Sequence, residues 1–210
     1  MKGKFHFYKN IILVVASALT LVAVTFAWFS TSFSTNVEQF EAVVSGDVIG
    51  VTYYQADENN NYQPLSGDIE LNDFVAGNYN KYKMVVKTRT ADKLQMSFSI
   101  DGLSTDVPQV LAESVCIKYV LYSTTKSTAP DGSVTYTDAV AISYSNGYVP
   151  LSTLEDGKIF NNLSLSNYQT SASETFIIYY EIGLSETAPA SLGGLESGLG
   201  SVRISAQRVG

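Results

Sequence analysis

Period-two alternation recurs wherever apolar residues cluster in this chain, and that rhythm admits strands far more readily than helices. Leu94, Met96, Phe98 and Ile100 alternate with Lys93, Gln95, Ser97, Ser99 and Asp101. Extended backbone sends these two sets to opposite faces, giving a strand with one side in a core and one in water. Just upstream, Tyr82, Met84 and Val86 alternate with Lys81, Lys83, Val85 and Lys87, so the two runs are expected to be antiparallel neighbours across Ala91-Asp92. Val115, Ile117, Tyr119 and Leu121 form a third set, and Phe176, Ile178, Tyr180 and Ile182 a fourth. Ile177 and Tyr179 make the fourth run apolar on both faces, which predicts a central strand. Val202, Ile204 and Ala206 close the chain against Arg203, Ser205 and Gln207.

Turn-forming sequences separate these runs: Ser66-Gly67-Asp68, Ala76-Gly77-Asn78, Pro130-Asp131-Gly132 and Asn146-Gly147. Asp57-Glu58-Asn59-Asn60-Asn61 reads as a hairpin turn, and Pro150 to Gly157 as one short helical turn. No long amphipathic helix is legible after residue 30. Charged residues make up only 16% of the chain, while 14 Tyr and 10 Phe suit strands. Nine or ten strands without a repeat period predict an all-β fold, an antiparallel two-sheet sandwich of jelly-roll type over roughly residues 37–208.

The first 29 residues read differently. Lys2, Lys4 and Lys9 precede an uncharged apolar run from Ile11 to Phe29. A basic start, an apolar stretch and a small residue closing it are the parts of an export signal. Ala27 and Thr25 then occupy the last and third-last positions before a cut between Ala27 and Trp28. The competing reading is a retained membrane anchor, since about 19 apolar residues just span a bilayer. Both readings put the basic end inside and residues 30–210 outside the cytoplasm. The expected organisation is a signal peptide over 1–27, an extended segment over 28–40 and a sandwich domain over 41–210. Export would involve a signal peptidase, and membrane contact would come only through an uncleaved signal segment.

Removing residues 1–27 removes three lysines and His6, the one histidine, and leaves 10 basic and 20 acidic side chains. Without histidine, neither a Ser-His-Asp nor a Cys-His arrangement can be assembled, and the usual imidazole ligands of zinc are missing. Cys116 is the one cysteine, so the chain has no internal disulfide, and its apolar setting predicts a buried small hydrophobe. Glu155-Asp156 before Gly157, and Asp101 with Asp106, are the remaining carboxylate candidates, but nothing in the sequence brings them together. The Asp57–Asn61 run has oxygen ligands without the spacing of a calcium loop. The glycine-rich 191–200 stretch lacks the Lys-Ser/Thr end of a phosphate cradle. Neither an enzyme nor a cofactor is expected. The acidic balance, −7 for the whole chain, also disfavours nucleic acid.

Immediately after the expected cut, Phe29, Thr31, Phe33, Thr35 and Val37 share one face of an extended segment whose other face is Ser30, Ser32, Ser34, Asn36 and Glu38. It can serve as the first strand of its own sandwich. Alternatively it can act as a donor strand that completes the sheet of a neighbouring copy through main-chain hydrogen bonds. Head-to-tail donation does not close on itself and builds a filament.

The junction Thr25-Phe26-Ala27-Trp28-Phe29-Ser30 resembles that of the TasA/camelysin family of exported bacterial proteins, which are processed by a dedicated signal peptidase. Asp73-Phe74-Val75-Ala76-Gly77 resembles the family's Pro-Gly turn, with Ala76 in place of Pro, and Val202–Gln207 resembles its closing strand. The resemblance implies a jelly-roll subunit that forms biofilm-matrix fibres by donor-strand exchange. Camelysin-like members are classed as metalloproteases, an activity that a chain without histidine after residue 27 does not support. The leading expectation is therefore an exported structural subunit that self-associates into filaments. The alternative is a monomeric surface adhesin or glycan-binding module with Tyr53, Tyr54, Tyr144 and Tyr148 as stacking platforms.

Overall fold

A computed structural model describes residue 17 and residues 35–37, 48–65, 69–71, 76–100, 109–189, 192 and 202–209. The expected signal peptide, the glycine-rich stretch and the Asp101–Asp106 loop lie outside them, apart from isolated residues. Among the described residues no helix is long and apolar enough to cross a membrane.

The alternating runs become the strands of two antiparallel sheets. The larger sheet has the order β3-β2-β5-β11-β7-β8, from β2 (Ile49–Ala56), β3 (Tyr62–Pro64), β5 (Tyr79–Thr88), β7 (Val115–Thr128), β8 (Val134–Tyr144) and β11 (Thr175–Leu184). β9 (Val149–Pro150) joins it by pairing with the start of β7. The smaller sheet has the order β10-β6-β12, from β6 (Leu94–Ile100), β10 (Lys158–Ser164) and β12 (Val202–Arg208). A separate ribbon pairs β1 (Thr35–Val37) with β4 (Ile69–Leu71). A short helix, α1 (Gln109–Ser114), precedes β7, and two 3-10 turns fill Leu151–Thr153 and Glu155–Gly157.

Register explains the core. Met84, Ile178 and Leu121 lie side by side across β5, β11 and β7, as do Tyr82, Tyr180 and Tyr119. All six are buried, as are Leu94, Met96, Phe98 and Ile100 on β6 and Val202, Ile204 and Ala206 on β12. The sheets meet face to face: the Phe98 ring lies 5.6 Å from Tyr180 and 6.4 Å from Tyr119, both edge-on. Such aromatic edges fill the space between sheets and add about 0.5–1.5 kcal/mol per pair beyond area burial. β11 is the interior strand its two apolar faces predicted, with Ile177 buried on the side away from the core. The outer face of the smaller sheet is polar. There Ser97 Oγ donates to Asn161 Oδ1 at 2.9 Å, and Gln207 Nε2 donates to Gln95 and Asn162 side-chain oxygens.

One pairing expectation is overturned. β5 and β6 are not neighbours; the chain leaves one sheet at Thr88 and enters the other at Leu94. Both runs send their alternate apolar residues to the same core from opposite sides, so 89–93 is an arch between layers, not a hairpin. No glycine in that stretch supplies the positive φ that tight hairpin turns favour. Instead the buried Gln169 clamps the arch: its Nε2 donates to the carbonyls of Thr90 (2.9 Å) and Asp92 (2.6 Å), and its Oε1 accepts from the Leu94 amide (3.2 Å).

The core also holds titratable groups. Burial pushes the Tyr53 phenol up to about 12 and raises those of Tyr82 and Tyr180 as well. A phenol raised in the folded state loses its proton first in the unfolded chain, so its contribution is fully present below about pH 10 and is lost as pH climbs through the folded value. We expect stability to fall between about pH 10 and 12 and the buried phenolates to appear together with loss of the β circular-dichroism signal. Phenolate absorbance recorded alongside that signal checks this, and ionisation of all tyrosines in the still-folded protein would refute it.

Candidate assembly edge and tyrosine–lysine face

The expected cleavage residues Ala27 and Trp28, and the candidate donor residues Phe29, Thr31 and Phe33, lie outside the described residues. Thr35 and Val37 are in β1, opposite Leu71 and Ile69 of β4. This ribbon is a sheet of its own and pairs with no strand of the two main sheets among the described residues.

Among the described residues the main sheets end on edges with no further strand. Phe160 on β10 packs 5.6 Å from Tyr119 on β7, and Phe98 on β6 lies between Tyr119 and Tyr180 on β11. The order β10-β6-β12 therefore follows β7-β11-β5, which carries β12 toward β5. Beyond it the larger sheet continues into β2, whose core-side Val51 and Tyr53 are only partly covered. Among the described residues no strand pairs with the outer edge of β12. A strand added to β12 would lie at the usual spacing of about 4.8 Å from it, on the side toward β2. At the far side β8 presents an 11-residue edge, with Val134 and Val140 43% and 52% exposed. Long open edges of this kind are templates for pairing with another chain.

The outer face of the larger sheet carries a second cluster. Register places Lys81, Lys83, Val85 and Lys87 of β5 beside Glu181, Tyr179, Ile177 and Thr175 of β11. β7 follows with Lys118, Val120 and Tyr122. Lys83 Nζ lies 5.6–5.8 Å from the ring centres of Tyr54, Tyr62 and Tyr179. Lys87 Nζ stands 5.4 Å over Tyr136, and Lys118 Nζ 5.4 Å over Tyr148. Tyr148 stacks on Tyr79 with centroids 3.8 Å apart. Its hydroxyl donates to the Glu181 carboxylate, which is flanked across the strands by Lys81 and Lys118. Burial and the Glu181 charge raise the Tyr148 phenol, and burial with Asp138 beside it pushes Tyr179 up to about 12. These rings are thus neutral hydrogen-bonding groups at physiological pH, held in place by cations over their faces.

Of the expected stacking tyrosines, Tyr54, Tyr144 and Tyr148 belong to this outer face. Tyr53 does not. It pairs with Met84 and points to the core side, because β2 alternates its faces like any strand. The lysine spacing at 81, 83 and 87 was visible as the polar side of β5. That three tyrosines from β2, β3 and β11 surround Lys83 depends on cross-strand register, which no local pattern displays.

The remaining candidates carry no assembled chemistry. Asp57 accepts from the amides of Asn59 (2.9 Å) and Asn61 (2.8 Å), which holds its carboxyl below the usual range and makes the segment the β2–β3 hairpin turn. Asp156 sits at φ 50° in the second 3-10 turn and pairs with Lys158 at 3.1 Å. Cys116 is buried, and burial raises its thiol. Among the described residues no three His, Cys, Asp or Glu side chains are grouped to hold a metal ion. Comparison with protein-family models, with curated proteins and with solved structures finds no match to this chain.

Proposed function

We propose that this chain is an exported structural subunit of a cell-surface or extracellular fibre, a jelly-roll sandwich that assembles by donor-strand complementation. The observation that carries this reading is the edge of β12, which no strand among the described residues pairs with, beside the partly covered β2. An added strand there gains main-chain hydrogen bonds from β12 and buries one alternating face against the core side of β2. The extended segment after Ala27 offers such a face, with Phe29, Phe33 and Val37 spaced four residues apart. Its basic, apolar leader supports export, and the junction at Thr25–Ser30 and the strand at Val202–Gln207 both resemble the TasA/camelysin family. Donation from one copy to the next does not close, so it propagates.

The test is direct. Residues 28–210 are expected to form filaments in negative-stain micrographs, and the same protein lacking 28–36 to remain monomeric with its β spectrum intact. Monomers from both would end this reading and favour a solitary adhesin. A casein-cleavage assay with and without chelator checks that no protease activity accompanies either form.

A further inference from the structure

We infer that the outer face of the larger sheet binds an anionic polysaccharide, a polymer of sugar rings bearing carboxylates. This goes beyond strand assembly, since the face lies on the side of the sheet away from the core.

The face combines two features that seldom occur together on an acidic protein. The chain carries −7 overall, yet four of the seven lysines after residue 28 gather here, against the carboxylates of Glu181, Asp138 and, beside Tyr79, Glu186. An acidic protein repels polyanions at long range, so a polyanion docks where cations locally dominate. Lys83, Lys87 and Lys118 are each positioned by tyrosine rings, so their ammonium groups are held without a large loss of side-chain freedom on binding.

The aromatic half selects the polymer. Tyr144 is 62% exposed and presents a ring with a hydroxyl at its rim. Such a ring offers an apolar face to the C–H side of a sugar and a hydrogen bond to its hydroxyls. From β3 to β8 the sheet is six strands wide, about 24 Å at the usual spacing, a span that matches several consecutive sugar units. Single-stranded nucleic acid also uses stacking and cations, but its continuous phosphate charge favours a groove without acids. Glu181, lying between Lys81 and Lys118, would repel every passing phosphate. A polymer in which uronic rings alternate with neutral rings sets its carboxylates farther apart than the phosphates of a single strand and can place an uncharged hydroxyl there.

The full chain is titrated with hyaluronate, in which uronic and neutral rings alternate, with neutral dextran and with oligo-thymidylate. Hyaluronate is expected to bind at least tenfold more tightly than either of the others and to weaken as salt rises. Lys83→Gln combined with Lys118→Gln is expected to weaken it at least tenfold, and Tyr144→Ala several-fold, with the β circular-dichroism signal retained. Lys158→Gln, off this face, is expected to leave binding unaltered. Equal or tighter binding of oligo-thymidylate overturns the proposal in favour of a nucleic-acid surface. Full retention of hyaluronate binding by the double variant also overturns it, and shows that the tyrosines serve cross-strand packing alone.

Discussion

Replacing Gln169 by Ala is expected to cost about 3 kcal/mol and lower the melting temperature by roughly 6–12 °C. The side chain is 2% exposed and makes three hydrogen bonds to the backbone of the arch between β5 and β6. Truncation leaves the carbonyls of Thr90 and Asp92 and the amide of Leu94 without this partner in a dry site. Each such group costs about 1–3 kcal/mol when left unpaired, partly offset where water enters. The arch also bears on Lys93, whose ammonium donates to the Gln169 carbonyl at 2.7 Å. Gln169→Glu separates hydrogen bonding from packing. A carboxylate of the same size keeps an acceptor for Leu94 but meets two carbonyls where donors stood, so its pKa is raised in the folded state. Stability of that variant is fully present below the unfolded value, about 4.3, and is lost as pH rises through the folded one. Thermal melts at acid and neutral pH read this out. A Gln169→Ala protein melting within a degree or two of the parent would refute the clamp.

Gly183→Val is expected to cost at least about 4 kcal/mol and to keep most of the protein from folding. Gly183 lies in β11, where a Cβ would stand 1.9 Å from the Asn78 carbonyl and 2.8 Å from the Tyr79 Cα. The cause is local: the chain before β5 folds back over β11, with Gly77 at φ +82° donating its amide to the Leu184 carbonyl at 2.9 Å. The obstructing atoms are backbone, so relief requires moving the start of β5, which pairs with β11 along its length. Gly132→Ala provides the contrast. That residue has φ +83° with nothing within 4 Å, so only the left-handed backbone penalty of about 1–2 kcal/mol applies. Denaturant titration of both variants should separate them clearly, and similar midpoints would show that β5 yields readily.

How much of this was legible beforehand varies with the range of the physics involved. The strands β5, β6, β7, β11 and β12 with their buried residues, and the turns at Gly132 and Gly147, follow from alternation and local backbone preference, whereas β2, β8 and β10 alternate too irregularly to mark them. The helix Gln109–Ser114 escaped notice because its six residues are too few to show a helical period. The pairing of β5 with β6 was misplaced for a related reason: alternation states which side of a strand is apolar, not which sheet it joins. Gln169 gave no local sign of its role either, since its partners lie 75 to 79 residues earlier in the chain.

Alternation read in the chain therefore predicts strands, their buried sides and the central place of β11, because pleating is a property of each segment alone. Neighbours across a sheet are chosen by burial of the whole, and only folding decides them. Register alone gathers Tyr54, Tyr62 and Tyr179 around Lys83, draws Lys118 beside Glu181, and leaves the edge of β12 beyond the reach of any other described strand. Each depends on contacts between residues distant in sequence, where a one-residue slip would turn every side chain to the opposite face.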